Sequence, residues 1–509
     1  MRDGMRYSES MVHSTIRRHP RGQWLWLVIL CQLAGDPARA DGDAARAWLA
    51  ARLKRLASDT RIAPARVGVL VQDVRSGRSL VELRPNERFN VASCAKLVTT
   101  GAALWALGPE YRFKTVVYTG RDAYPRRRYG PTVEGDIYIK GFGSPDLGER
   151  DLWQLVDQLK DRGIRAVQGK LVIDESFFDG KRLAPLYDSK STDAWYRPPN
   201  GALSLASNMV RVRVFAGDAP GDPARVVLHP RSSYLKVDSE VKTVRRRRRS
   251  WIRVNTVEKG GHTVVQVRGR VRVGYRRRPF RRRIADPGML VGRALLDLME
   301  RRGIRVARKT VVRGTTPPRA RVLAAHHSEP LAVILRGMNK HSNNFIAEQI
   351  TKTMGAEVQG PPATWGKGLG VAQRFLRTLA IQPGSYTMKN GSGLYDATAF
   401  SPAQLVKVLR ASFRSFRCGP DFVSTLPQAG VDGTLEARFV GSGGERYVRA
   451  KTGTLARVVT LSGYAGCAKR GRGPLAFAIL FNDLPEGKVR PARQVADEMA
   501  TTMVNYLER

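Results

Sequence analysis

The sequence predicts an α/β fold in which one domain is closed by both ends of the chain and opened in its middle by one or two β-rich domains. Three observations predict it. A helix-spaced apolar pattern followed by two alternating runs stands near the start of the chain. Two alternating runs followed by a helix-spaced pattern stand at its end. Between about residues 110 and 320 the texture changes to short alternating runs separated by Gly, Pro and Arg.

Taken in order, residues 44–58 set Ala44, Trp48, Leu49, Leu53 and Leu56 at helical spacing. Residues 67–71 and 80–83, joined through Ser76-Gly77, read as a hairpin. Residues 93–107 form an apolar helix that Gly108-Pro109 stops. The strand-like middle is typified by residues 263–273. After Ser328 helices return at 331–338 and 343–354. Residues 458–466 and 475–481 flank Lys469-Arg470-Gly471-Arg472-Gly473 as a second hairpin, and Val495, Met499, Met503 and Leu507 form the apolar face of a terminal helix. No internal repeat interrupts this order.

Composition narrows the partners. A chain of 509 residues that is 42% hydrophobic can bury a real core, and two or three domains is the sensible expectation. General disorder is excluded by apolar runs that continue almost to the end. A multi-span membrane protein is excluded because the single apolar run of more than ten residues lies at the N-terminus. Four cysteines exclude a disulfide-dense scaffold. With 87 Lys plus Arg against 44 Asp plus Glu, the formal net charge is +43, which asks for a polyanionic neighbour: nucleic acid, an anionic membrane surface or an acidic wall polymer.

The N-terminus chooses among these. Arg17, Arg18 and Arg21 precede an apolar stretch at 24–34, and Ala38-Arg39-Ala40 then gives small residues at the spacing of an export cleavage site, with Asp41 as the mature start. This predicts a signal peptide over residues 1–40; the alternative is an uncleaved anchor, for which the run is short. Export places the protein in the periplasm or associated with the cell envelope, and argues against nucleic acid. Removing residues 1–40 takes six Lys/Arg and three Asp/Glu and leaves a charge of +40. It also removes Cys31, leaving Cys94, Cys418 and Cys467; Cys418 and Cys467 are a candidate pair, with Cys94 left free.

Three short motifs carry chemistry. In Ser93-Cys94-Ala95-Lys96, a serine and a lysine three apart on a helix share a face, so the amine can reach the hydroxyl. An ordinary serine is a poor nucleophile and needs an adjacent base, and a desolvated lysine can be that base. Ser93 would also lie at the helix N-terminus, where the dipole favours developing negative charge. Alone the pattern is weak: it is expected on the order of once by chance, and Ser233/Lys236 and Ser239/Lys242 fit it too, but in a strand-like stretch with no following helix. The second motif, Ser342-Asn343-Asn344, lies between two helical stretches. Ser342 could relay a proton and Asn344 could hold a substrate amide, or Ser342 could simply cap the next helix. The third, Lys451-Thr452-Gly453-Thr454, leads into the terminal hairpin. Lys451 offers charge, Thr452 and Thr454 hydroxyls, and Gly453 room for a substrate backbone to add along a strand edge. The ordinary alternative is a turn before a strand.

Ser-x-x-Lys, Ser-x-Asn and Lys-Thr-Gly in this order resemble the set shared by penicillin-binding proteins and serine β-lactamases. The gap of 245 residues between Lys96 and Ser342 is far too long for a β-lactamase. It resembles the class C low-molecular-mass penicillin-binding proteins, the D-alanyl-D-alanine carboxypeptidase/endopeptidase (DacB-like) family, in which extra domains follow the Ser-x-x-Lys helix. Further stretches resemble that family: Gly141-Phe142-Gly143-Ser144-Pro145-Asp146-Leu147, Ala202-Leu203-Ser204-Leu205 with Asn208, Met338-Asn339-Lys340-His341, Asn390-Gly391-Ser392-Gly393-Leu394, and Ala429-Gly430-Val431-Asp432-Gly433-Thr434. The resemblance implies a transpeptidase-like domain with an antiparallel sheet flanked by helices, in two parts at 41–109 and 323–509, with β-rich, Arg-rich insertion domains at 110–322. It implies Ser93 as the acylated nucleophile, Lys96 as its base, Ser342 and Asn344 as relay and amide-binding pair, and Lys451, Thr452 and Thr454 as the strand that binds the substrate carboxylate. The N–H groups of Ser93 and Thr454 would form an oxyanion hole. The implied reaction is cleavage of the D-Ala-D-Ala bond of peptidoglycan stem peptides through an acyl-enzyme, with β-lactams as covalent inhibitors. No cofactor and no metal are called for; the seven histidines form no His-Glu-x-x-His pattern.

Three features depart from the family pattern or add to it. Tyr395 and Asp396 follow Leu394 where many relatives carry Ser-Arg, so an arginine expected near the bound carboxylate is replaced by an acid. Cys94 beside the nucleophile is either a small packing residue or a thiol whose oxidation blocks the site. Seventeen Lys/Arg and one acid fall between Val241 and Arg283, including the runs 245–249, 276–278 and 281–283, with a further run at 126–128. These are either solvated loops or a surface for anionic wall polymer or membrane. The competing functional readings are a serine β-lactamase or esterase on the same fold and a catalytically weak wall-binding protein.

Overall fold

The computed structural model describes residues 37–123, 131–276, 278–469 and 473–509. The apolar run at 24–34, the basic run at 126–128, Arg277 and the tip of the last hairpin at 470–472 lie outside the described residues. Among the described residues no helix is long and apolar enough to cross a membrane. The first helix runs Pro37–Ala57, so Ala38-Arg39-Ala40 falls in its opening turns. Its Leu49, Leu53 and Leu56 are buried, at the spacing that marks the helix in the sequence.

Both ends of the chain build one five-stranded antiparallel sheet. Its order is Ser79–Leu83, Arg66–Asp73, Leu475–Asn482, Val458–Ala465, Val448–Leu455. The register of the seam pairs Val69 with Ile479 and Val71 with Phe477. Every residue of Leu475–Asn482 and Val458–Ala465 is buried, so both faces of the central strands are covered. Ala476, Ala478 and Leu480 join Leu405 and Leu409 of the helix Pro402–Arg414 in one core cluster. The alternating residues face the other way, and the terminal helix Val489–Glu508 packs on the strands Val458–Ala465 and Val448–Leu455. Its Val495, Met499, Met503 and Leu507 are buried. Val448–Leu455 is the last strand of the sheet; on its outer side the segment 427–429 bridges it at Arg449, and no strand of the described residues pairs with it beyond that point.

Beside the sheet, a helix Ala95–Leu107 buries every residue from Ala95 to Leu104. This largely apolar helix lies inside the protein, wrapped by the helices Leu331–Lys340, Asn344–Gln359 and Trp365–Thr378. Gly108, at φ 87°, ends it where Gly-Pro punctuation predicts.

The long middle holds a mixed five-stranded sheet ordered Val311–Arg313, Leu171–Asp174, Ile137–Gly141, Lys114–Thr119, Arg321–His327. Two three-stranded sheets follow it: Arg225–His229 with Met209–Phe215 and Phe280–Arg283, and Leu235–Val244 with His262–Arg272 and Trp251–Lys259. One apolar cluster runs through them, from Ile139 and Leu171 to Val212 and Val265. Two helices interrupt these strands in a stretch expected to be β-rich. Glu149–Asp161 buries Leu152, Leu155, Val156 and Leu159 on one stripe. Pro287–Arg301 starts from Asp286, whose side chain accepts from the N–H of Met289. The strand Arg321–His327 pairs with Lys114–Thr119 and so crosses position 322, where the sequence reading ends the insertion.

Candidate active site

The three motifs, which lie hundreds of residues apart in the chain, line one cleft of about 1060 Å³. Ser93 sits in a 3-10 turn, Ala92–Cys94, that feeds directly into the buried helix Ala95–Leu107. Ala92 holds φ 46°, a left-handed conformation costly for a residue with a Cβ, immediately before the serine. The turn is pressed against the edge strand. A Cβ on Gly453 would lie 2.8 Å from the Val91 carbonyl oxygen and 2.2 Å from Thr460 Oγ1, so the third motif needs glycine to admit the Ser93 turn, besides any substrate.

Lys96 is fully buried, and its Nζ lies 3.0 Å from Ser93 Oγ, 2.7 Å from Asn344 Oδ1 and 2.7 Å from the Ser392 carbonyl oxygen. Burial pushes its pKa well below the usual lysine range; the charge of Lys451 pushes the same way, and Glu348 opposes. Lys451 is also fully buried, and its Nζ donates to Ser342 Oγ at 2.9 Å and to the Thr452 carbonyl at 2.8 Å. Burial lowers its pKa to about 8. Two buried amines thus face two hydroxyls across one cleft, and a neutral Lys96 amine can accept the Ser93 proton.

Ser342 has φ 53°, and the cap of the helix Asn344–Gln359 is its neighbour Asn343, whose side chain accepts from the N–H of Ile346. The capping alternative for Ser342 therefore fails, and its hydroxyl is left for Lys451. Asn344 Oδ1 accepts from Lys96 and its Nδ2 donates to the Tyr196 carbonyl at 2.9 Å, which fixes the orientation of the amide. Thr452 Oγ1 lies 2.9 Å from Thr434 Oγ1, and Thr454 Oγ1 accepts from the Arg493 guanidinium at 3.2 Å. The two other Ser-x-x-Lys matches are elsewhere: Ser233 is exposed and bonds Asp297, while Ser239 and Lys242 are exposed on the strand Leu235–Val244.

Several residues around the site were not singled out from the sequence. Glu348 is a fully buried carboxylate that accepts from the N–H groups of Gly391 and Ser392 and from Trp365 Nε1. It fixes the loop whose Ser392 carbonyl accepts a hydrogen bond from Lys96. Tyr187, from the long middle, adds its hydroxyl 2.9 Å from Ser392 Oγ. Glu348 lies one helical turn after Asn344, which is the one sequence signal that could have found it. Gly393, at φ 73°, has no room for a Cβ, which would meet the Ala92 carbonyl oxygen. From the same middle region the exposed aromatics Trp195 and Tyr196 line the cleft together with Thr454 and Arg493.

Among the described residues the three cysteines, Cys94, Cys418 and Cys467, are free thiols. Cys418 and Cys467 are not paired, which corrects the candidate disulfide: Cys418 Sγ points to the Leu104 carbonyl and Cys467 Sγ to that of Lys469. Cys94 is fully buried, donates to the Lys451 carbonyl at 3.2 Å and accepts from Thr460 Oγ1. Burial pushes its thiol pKa up, which opposes thiolate reactivity and favours the packing alternative.

Comparison with known proteins identifies the family and the fold. A family model described as the D-Ala-D-Ala carboxypeptidase 3 (S13) family matches residues 49–503. The chain is 30% identical over 496 residues to a D-alanyl-D-alanine carboxypeptidase of Actinomadura sp. (strain R39), covering 94% of this chain and 89% of the relative. It is 23% identical over 423 residues to the D-alanyl-D-alanine carboxypeptidase DacB of Haemophilus influenzae, covering 83% and 86%. Its fold is similar to the crystal structure of penicillin binding protein 4 (dacB) from Haemophilus influenzae, with a TM-score of 0.73 at 22% identity over 90% of this chain and 98% of that one. A structure of the same protein complexed with a β-lactam gives a TM-score of 0.69 at 22% identity, covering 88% and 98%.

Proposed function

The chain belongs to the D-Ala-D-Ala carboxypeptidase 3 (S13) family, and from that premise we propose how its own residues carry the reaction. It is a serine-type D-alanyl-D-alanine carboxypeptidase/endopeptidase, a penicillin-binding hydrolase of peptidoglycan stem peptides. Ser93 Oγ attacks the carbonyl of the penultimate D-Ala while neutral Lys96 takes its proton. Asn344 Oδ1 and the Ser392 carbonyl accept from the ammonium so formed. The N–H groups of Ser93 and Thr454 receive the developing oxyanion. Ser342, beside Lys451, passes its proton to the leaving amine and recovers one from the Lys96 ammonium, so terminal D-Ala departs and Lys96 is neutral again. Water then attacks the acyl-Ser93 ester, and the proton it gives up returns through Lys96. A β-lactam follows the first step, but its leaving nitrogen stays tethered in the acyl group, and the adduct persists. Thr452, Gly453 and Thr454 present the edge along which the substrate lies, past the bridge that Gln428 makes to Arg449, with no strand among the described residues to compete there.

One contact supports this assignment above all others: a fully buried lysine amine 3.0 Å from the Ser93 hydroxyl. Digestion of purified peptidoglycan tests it together with the split between activities. Release of D-Ala from pentapeptide stems reports carboxypeptidase action, and conversion of cross-linked dimers to monomers reports endopeptidase action. Loss of neither activity in Lys96→Ala would contradict the role given to the lysine.

The catalytic unit is read as two parts, 41–109 and 323–509, with 110–322 as the insertion. The pairing of the strand Arg66–Asp73 with Leu475–Asn482 supports this division. Residues 1–40 are read as a cleaved signal that delivers the enzyme to the periplasm. The five arginines at 245–249 are all exposed in the turn between Leu235–Val244 and Trp251–Lys259, with Trp251 exposed beside them. This turn is read as a contact to anionic wall polymer or membrane surface.

A further inference from the structure

Within the cleft the charges are unevenly matched. Arg438 is neutralised by Asp497, to which it donates through two nitrogens, at 3.1 and 2.6 Å. Arg438 also donates to the Arg493 backbone carbonyl at 3.4 Å, which fixes the first part of the helix Val489–Glu508 against the cleft. Arg493 itself makes no ion pair among the described residues. From the terminal helix its guanidinium reaches the Thr454 hydroxyl on the edge strand, and both line the cleft with Thr452. Asp396, which also lines the cleft, is held by Asn90 Nδ2 at 2.9 Å and supplies negative charge only. A forked cation without a carboxylate, beside two hydroxyls, is set to receive an anion from a ligand.

We propose that Arg493 recognises the C-terminal carboxylate of the peptide substrate, completing an anion subsite with the hydroxyls of Thr452 and Thr454. The inference rests on the peptidase reading above and adds to it a residue outside all three motifs. The carboxylate would replace the Thr454 hydroxyl as the main acceptor of the guanidinium, and the threonine would then donate to the same anion. Orientation follows: a carboxylate held at the edge strand places the bond on its N-terminal side toward Ser93. A peptide lacking that charge would bind without this anchor.

The test compares the full-length enzyme, Arg493→Ala and Arg493→Lys on two peptides that differ only at the end: acyl-D-Ala-D-Ala with a free carboxylate, and the same peptide as its carboxamide. Penicillin labelling of Ser93 is measured in parallel. The expected result is a loss of kcat/KM of about 10- to 100-fold for Arg493→Ala on the carboxylate peptide, carried mainly by KM. The carboxamide peptide should change by less than about threefold, and Arg493→Lys should recover part of the loss, because it keeps the charge but not the fork. Equal losses on both peptides would overturn the proposal and leave Arg493 a structural residue, and so would an unchanged rate on the carboxylate peptide. Absence of Ser93-dependent labelling in the unmodified enzyme would overturn the peptidase reading itself, and this inference with it.

Discussion

Replacing Gly453 with alanine should separate the nucleophile from its strand. The added Cβ would sit 2.8 Å from the Val91 carbonyl oxygen, 3.1 Å from Ala92 Cβ and 2.2 Å from Thr460 Oγ1. Thr460 cannot turn away freely, because its hydroxyl bonds the Val91 carbonyl at 3.0 Å and Cys94 Sγ at 3.2 Å. Ordinary contact begins near 3.4 Å, so the Val91–Ala92 backbone must retreat by roughly 0.6 Å and the hydroxyl by about twice that. Overpacking of this kind costs about 1–3 kcal/mol of stability. Misplacing a nucleophile by about 1 Å costs up to about 10²-fold in rate. The expected outcome is a folded protein, with a melting temperature lower by a few degrees, whose second-order rate of acylation by a fluorescent penicillin falls by about 10- to 100-fold. An alanine variant that acylates within twofold of the unmodified enzyme would refute the claim that this glycine sets the approach of the Ser93 turn.

The pH dependence of acylation should have an acid limb set by Lys96, well below the ordinary lysine range, and an alkaline limb near 8 where Lys451 loses its proton. Glu348→Gln should slow acylation by about tenfold, because one amide oxygen cannot serve all three N–H donors. The same change should move the acid limb to lower pH: the carboxylate favours the Lys96 ammonium, and its removal favours the neutral amine. A merely structural glutamate would leave the limb in place, and stopped-flow acylation across pH distinguishes the two. Peroxide should reduce acylation by the unmodified enzyme and by Cys94→Ala equally, since the thiol is buried and its pKa is raised; selective loss in the unmodified enzyme would contradict that. Neutral replacement of the arginines at 245–249 should lower retention on isolated cell wall and weaken its salt dependence; retention unchanged in pulldown would count against a wall-facing role for this turn.

What was legible in the sequence was what is local in the chain. Ser93 and Lys96 share one turn, and the apolar residues that follow them mark a buried helix, so the motif could be told from its exposed matches at Ser233 and Ser239. The hairpins at both ends were readable from alternation. Sequence spacing could not say that Asn343 rather than Ser342 caps its helix, because both side chains suit a cap and the choice is made by the φ of Ser342. Contacts across long gaps were also hidden. Ser392 reaches Lys96 from 296 positions away, and Arg493 reaches Thr454 from a terminal helix whose apolar face alone stood out. The helices Glu149–Asp161 and Pro287–Arg301 carry ordinary amphipathic stripes, but they sit among charged and strand-like runs that dominate the pattern around them.

The central claim is that Ser93, activated by Lys96, forms a covalent acyl-enzyme. Intact-protein mass spectrometry after exposure to benzylpenicillin, with peptide mapping, measures it directly. The expected result is a single adduct of the mass of the antibiotic, mapped to Ser93, long-lived in the unmodified enzyme and missing from Ser93→Ala and Lys96→Ala. A mass that does not change, or an adduct that persists in Ser93→Ala, would contradict it.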